Sequence, residues 1–153
     1  MPPQMIGGYV TGPVLIGRSD RVIVAARQVL AFPAGFEVEV EAHARAPATV
    51  RSAADPQEPD RAAGLQFWLR LSDGRQAAQD DEAGLRSGRG PTLIVSGSQT
   101  SHGGPDSRED ARLTLWAWPL PPPGPVTLTC TWLKHGLADG RLELDRRVLQ
   151  RAL

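Results

Sequence analysis

The 153 residues include one cysteine, Cys130, one lysine, Lys134, and one tyrosine, Tyr9, while 17 basic side chains balance 17 acidic ones. Each scarcity excludes something. A lone thiol cannot close an internal disulfide, so the chain is not one of the small cross-linked secreted scaffolds. A formal net charge of zero removes the uniform positive field that non-specific nucleic-acid or anionic-membrane binding requires, so neither is expected as a partner. There is no run of about 18 apolar residues and no charged-then-apolar N-terminal segment. The expected address is therefore cytoplasmic. Because Lys134 stands alone, arginine supplies every other positive charge, a bias that accompanies alanine, glycine and proline richness and reads as codon usage.

Catalytic patterns are also missing. The sequence has no Gly-x-Gly-x-x-Gly, no Walker phosphate loop, no Gly-x-Ser-x-Gly, no His-Glu-x-x-His and no Cys-x-x-Cys. His43, His102 and His135 sit in separate segments, and nothing in their spacing defines a metal site. The stretch Ser98-Gln99-Thr100-Ser101-His102-Gly103-Gly104 gathers hydroxyls, an imidazole and flexible amides, the ingredients of anion binding or nucleophilic chemistry. A nucleophile, however, needs a base held rigidly within hydrogen-bond reach, which a Gly-Ser loop does not provide. Asp80, Asp81 and Glu82 read as solvated loop charge. Cys130, alternating with threonines, reads as a core thiol without the electropositive surroundings of a reactive one. No catalytic residue, metal or cofactor is assigned, and a non-enzymatic protein is expected.

Glycine and proline, by contrast, make up 30 of the 153 residues, which favours many turns and few long helices. Between the turns lie short alternating segments. Val22 to Leu30 is apolar on both parities, as a strand covered on both faces would be. Phe36 to Arg45 alternates cleanly, with even positions toward a core and Glu37, Glu39, Glu41, His43 and Arg45 on the other side. Leu65, Phe67, Leu69 and Leu71 share a face, and Asp73-Gly74 suits a two-residue hairpin turn before a return over Arg75 to Ala78. Pro91 to Val95, Arg112 to Trp118, Val126 to Leu133 and, after an Asp139-Gly140 turn, Arg141 to Leu144 complete the set, with Gly8 to Ile16 as an entry strand. Asp145 is placed to cap a short C-terminal helix bearing Val148 and Leu149. Residues 46–63, 79–90 and 96–107 read as mobile loops. The expectation is one all-β domain over residues 1–153, an antiparallel two-sheet β-sandwich of undecided immunoglobulin-like or jelly-roll order, with a small closed barrel as the alternative.

Parity also singles out aromatic side chains. If Leu113, Leu115 and Ala117 face the core, Trp116 and Trp118 point away with Arg112 and Thr114. The same split sets Trp68 beside Gln66 and Arg70. Trp132 shares parity with Val126, Leu128 and Cys130 and reads as core. Should these strands lie in one sheet, Trp68, Trp116, Trp118, Arg70 and Arg112 form a single aromatic and charged face of the kind found at interfaces. The chain itself, a homodimer or other protein partner, or a sugar or other planar small ligand are the candidates to cover it. The Pro121-Pro122-Pro123-Gly124-Pro125 run reads either as a rigid connection or as a polyproline docking segment.

The run from Trp116 to Pro125, taken with Gly12-Pro13-Val14-Leu15-Ile16 and Gly35-Phe36-Glu37, resembles a family of small actinobacterial β proteins over most of the chain outside the loops. The resemblance implies one fold for the whole chain and carries over no catalytic residue, cofactor or partner. The residues together point to a non-enzymatic protein-interaction or structural module that self-associates, with a small-ligand or carbohydrate-binding module on the tryptophan face as the alternative.

Overall fold

The computed structural model describes residues 8–45, 65–79, 91–103, 108–119, 121–133 and 136–151. The side chains of Tyr9, Thr11, Arg108 and residues 99–103 are left undescribed. Ten strands and one helix follow in order: β1 Gly8–Thr11, β2 Val14–Arg18, β3 Val22–Phe32, β4 Gly35–Arg45, β5 Leu65–Arg70, β6 Gln76–Ala78, β7 Thr92–Gly103, β8 Arg108–Trp118, β9 Pro125–Trp132, β10 Leu137–Asp145 and α1 Arg146–Arg151. Successive hairpins go alternately to two antiparallel sheets. One sheet has the order β1-β3-β4-β8-β7, with β2 joining β1 on the same edge of β3, and the other has the order β10-β9-β5-β6. The protein is thus an all-β two-sheet sandwich with a short C-terminal helix.

The core lies where the expected faces meet. Phe36, Val38, Val40, Ala42 and Ala44 of β4 and Leu113, Leu115 and Ala117 of β8 pack against Leu65, Phe67 and Leu69 of β5 and Val126, Leu128, Cys130 and Trp132 of β9. Asp145 Oδ1 accepts the Arg147 N–H at 2.8 Å, which caps α1, and Leu149 is fully buried. Val148 instead faces outward.

Several expectations need correction. β3 is not covered on both faces: Val22, Val24 and Ala26 face the core, a bulge at Arg27 reverses the parity, and Val29 and Ala31 take over. The bulge explains why both parities are apolar. The entry strand breaks at Gly12-Pro13 into β1 and β2, because proline removes a donor and fixes φ. Arg75 O accepts the Leu71 N–H at 2.9 Å, so the Asp73 hairpin loop has three residues, with Gly74 left-handed at φ 90°. Gln79 is not loop, for its side chain accepts the Phe67 N–H at 3.0 Å and its backbone bridges to Leu93. The 96–107 loop is largely strand: β7 continues to Gly103 and β8 begins at Arg108, with pairing preserved to the Gly103 and Arg108 ends. Asp139-Gly140 is a bulge within β10, and the turn into that strand sits at Gly136, φ 80°. Loop 46–63, residues 80–90, Lys134 and His135 lie outside the described residues.

The proline-rich connection carries the chain from β8 in one sheet to β9 in the other. Ser72 Oγ donates to Pro123 O at 2.8 Å and the Arg146 N–H donates to Gly124 O at 3.3 Å, so the run is tied into the fold as a bridge.

Candidate functional site

The three outward tryptophans do not share a surface. β8 belongs to the larger sheet and β5 to the smaller, so Trp116, Trp118 and Arg112 lie on one outer face of the sandwich and Trp68 and Arg70 on the opposite one. The parity of each residue is as expected, and the single five-residue platform is not formed. Alternation fixes which side of a strand a residue takes, whereas sheet membership depends on long-range pairing.

Trp116 has a cover within its own chain. Its relative exposure is 6%, and its ring meets that of Phe32 edge-on, with centroids 5.6 Å apart. Neither residue belongs to the main core cluster. Gly35 makes room for them: a Cβ there would stand 3.2 Å from Trp116 Cη2 and would collide with Ala117 O. Trp116 is therefore a packing residue of a small second cluster, while Trp118 remains only half-buried one pleat further on.

Beneath this cluster lies Glu37, paired across the strands with both Leu30 and Trp116 and 5% exposed. Among the described residues its Oε2 has no hydrogen-bond partner. Burial pushes its carboxyl above the usual range, and the charge of Glu39 adds to the shift.

Further along the same face an ionic network replaces the aromatics. His43 Nδ1 lies 2.6 Å from Asp110 Oδ1 and Nε2 lies 2.9 Å from Glu41 Oε1. An imidazolium satisfies both contacts, since each ring nitrogen then donates to a carboxylate. The bond to Asp110 raises the His43 pKa most; partial burial opposes it, and Glu41 reinforces it. Arg27 Nε at 3.6 Å and Arg112 NH2 at 3.8 Å flank Glu41. Both ring nitrogens of His43 are thus occupied, and among the described residues no three His, Cys, Asp or Glu side chains form a metal-holding group.

On the opposite face Trp68 is half-buried between Thr129 of β9 and Ala78 of β6, with Gln66 and Arg70 exposed two residues away and the Thr127, Thr129 and Thr131 row beside it. Ser101 and His102, expected in a loop, have their backbone in β7 opposite Asp110 and Glu109. Cys130 is fully buried, and desolvation, with a smaller contribution from Asp139, pushes its thiol up to about 12. Such a thiol is not a nucleophile at neutral pH.

The feature that sequence reading missed is the β7 edge. Thr92–Gly103 contains no Lys, Arg, Asp, Glu or Pro, the Gln79–Leu93 bridge lies on its outer side near its start, and among the described residues no strand pairs with that side from Ser96 to Gly103. The other edges carry the usual protection. β6 has three residues; β10 is bulged and bears Asp139, Arg141 and Glu143; the β1 and β2 edge is interrupted at Pro13 and bulged in both halves. The absence of Lys, Arg, Asp and Glu from Ser96 to Gly103 is visible in the sequence, but a Gly- and Ser-rich stretch of this kind fits a loop equally well.

No helix among the described residues is long and apolar enough to cross a membrane. Comparison with protein-family models, with curated proteins and with solved structures finds no match.

Proposed function

We propose that this chain is a non-enzymatic β-sandwich module that works by association with protein, first of all with a second copy of itself, through the β7 edge. The observation that carries this reading is the length and neutrality of that edge. An unpaired strand presents a row of N–H and C=O groups that a second strand can complete. Where two copies meet antiparallel across Ser96–Gly103, no Lys, Arg, Asp or Glu stands against its like. The two larger sheets then join into one. Arg112 and Trp118 of β8, opposite Gln99 and Thr92 of β7, flank the junction and keep a part in it. A cytoplasmic setting is part of the proposal and rests on the single, buried thiol.

The test places a charge where natural edges carry one. Ser98 is exposed in the middle of this edge, so Ser98→Lys sets a charge on it. Sedimentation equilibrium is expected to show dimer for the native chain and monomer for the variant. A native chain that stays monomeric at 100 µM, on the order of the concentration where weak dimers form, would sink the reading.

A second reading keeps a ligand on the smaller sheet. Trp68, half-exposed amid Thr129, Gln66 and Arg70, has the flat aromatic and hydroxyl surface on which a sugar ring stacks. A sugar-dependent change in tryptophan fluorescence that disappears in Trp68→Ala supports it, and an unchanged spectrum across a panel of sugars removes it.

A further inference from the structure

At the end of the larger sheet, where β2 turns into β3, the backbone sets arginines side by side. The Arg45 N–H of β4 donates to Arg21 O at 2.9 Å, and Arg45 pairs in turn with Arg108 of β8. Three arginines thus occupy adjacent positions across three chain segments. Arg18 stands one row inward, paired with Ile23. Like charges placed directly across a sheet destabilise it, so such a row calls for an anion. Among the described residues Arg18, Arg21 and Arg45 enter no ion pair, and all three are exposed. They line a cleft of about 510 Å³ together with Asp20, Ile23 and His43. The volume is that of a small-molecule site. One wall is apolar, since Ile23 is 51% exposed and Leu15, on the same face and 53% exposed, continues it.

We propose that this cleft binds a small organic phosphate, with the guanidinium groups of Arg18, Arg21 and Arg45 on the phosphate oxygens and the organic part against Ile23. Guanidinium forks match phosphate oxygens bidentately, and three of them exceed what one carboxylate can use. Asp20 is the one carboxylate in the wall and offsets a single arginine. His43 also lines the cleft, but its ring N–H groups remain with Glu41 and Asp110, whose carboxylates offset its charge. The turn is held in shape by Ser19, whose Oγ accepts the Arg21 N–H at 3.3 Å and whose N–H donates to Val22 O at 3.0 Å. The site is distinct from the β7 edge and does not depend on self-association.

The experiment is calorimetric titration of the full chain with phenyl phosphate at low salt, with sodium chloride at equal ionic strength as the reference. Saturable one-site binding is expected. In Arg21→Gln/Arg45→Gln the affinity falls by about tenfold or more. Ile23→Ser weakens phenyl phosphate and leaves inorganic phosphate unchanged. Loss of folding is excluded by a separate readout: unliganded Arg45→Gln unfolds at a higher temperature than the native chain, because the repulsion is relieved. The absence of binding heat, or equal affinity in the double variant, overturns the proposal. A lower unfolding midpoint for unliganded Arg45→Gln overturns its premise and assigns the arginine row to carboxylates of the protein itself.

Discussion

The two sheets meet edge to edge at Gly17 of β2 and Gly140 of β10, and Gly140 also packs on its β9 partner Cys130, a contact that a methyl group at Gly140 tests quantitatively. A Cβ there would lie 2.5 Å from Cys130 Sγ, 3.3 Å from Cys130 O and 3.4 Å from Ile16 O, in a region where Cys130 is fully buried. Something must shift, and overpacking of this kind costs about 2 to 3 kcal/mol in Gly140→Ala. Cys130→Ala alone removes a buried sulfur and costs about 1 to 2 kcal/mol. In the double variant the new methyl takes the space that the sulfur vacates, so the two losses do not add. The expected total is close to that of Gly140→Ala alone or below it, a coupling of about 1 to 2 kcal/mol. The backbone oxygens of Cys130 and Ile16 remain, which keeps the rescue incomplete. Urea unfolding of the four proteins measures the coupling, provided their m-values agree. Additive losses would refute the close approach of Gly140 to the Cys130 sulfur.

Three further outcomes follow from the outer face of the larger sheet. His43 has a raised pKa in the folded state, so its ion pairs stabilise fully below the unfolded value of 6.5 and are lost as pH climbs through the higher folded value. The unfolding midpoint of the native chain should fall over that window and that of His43→Gln should not, and equal pH profiles would contradict the network. Glu37 is shifted in the sense that disfavours its charge, so folding stability gains as pH falls toward the unfolded carboxylate range and Glu37→Leu stabilises by about 1 kcal/mol at neutral pH, read by thermal unfolding. Trp116→Ala should cost about 3 kcal/mol in denaturant unfolding, since the ring packs on Phe32, and a loss under 1 kcal/mol would return Trp116 to the exposed face.

The parts of this fold that alternation encodes were legible. From Phe36 to Arg45 every even residue is core, and the Leu65 to Leu71 and Val126 to Trp132 faces read correctly for the same reason. The Asp145 cap and the buried Leu149 were also readable from local chemistry. Elements defined by pairing rather than by packing were not. β7 beyond Val95 is glycine, serine and threonine rich and takes its extended form from the hydrogen-bond ladder to β8, while the first residues of β8, Arg108 to Asp110, are charged yet pair with Arg45, Ala44 and His43. The tryptophans show the same division. Their sides were legible strand by strand, and the separation of Trp68 from Trp116 and Trp118 comes from β5 pairing with β9, sixty residues away in sequence by order of magnitude. The arginine row was hidden likewise, since Arg21, Arg45 and Arg108 are neighbours only through the sheet.

Self-association through β7 is tested most directly by amide hydrogen exchange, read by mass spectrometry as protein concentration is raised. Half of the amides from Ser96 to Gly103 point away from β8 and meet no strand among the described residues, so fast exchange is expected of them in a lone chain. Protection that rises with concentration in this segment, with the β10 edge unchanged, is the predicted result. Equal exchange of β7 at low and high concentration, or protection that grows at β10 instead, contradicts it.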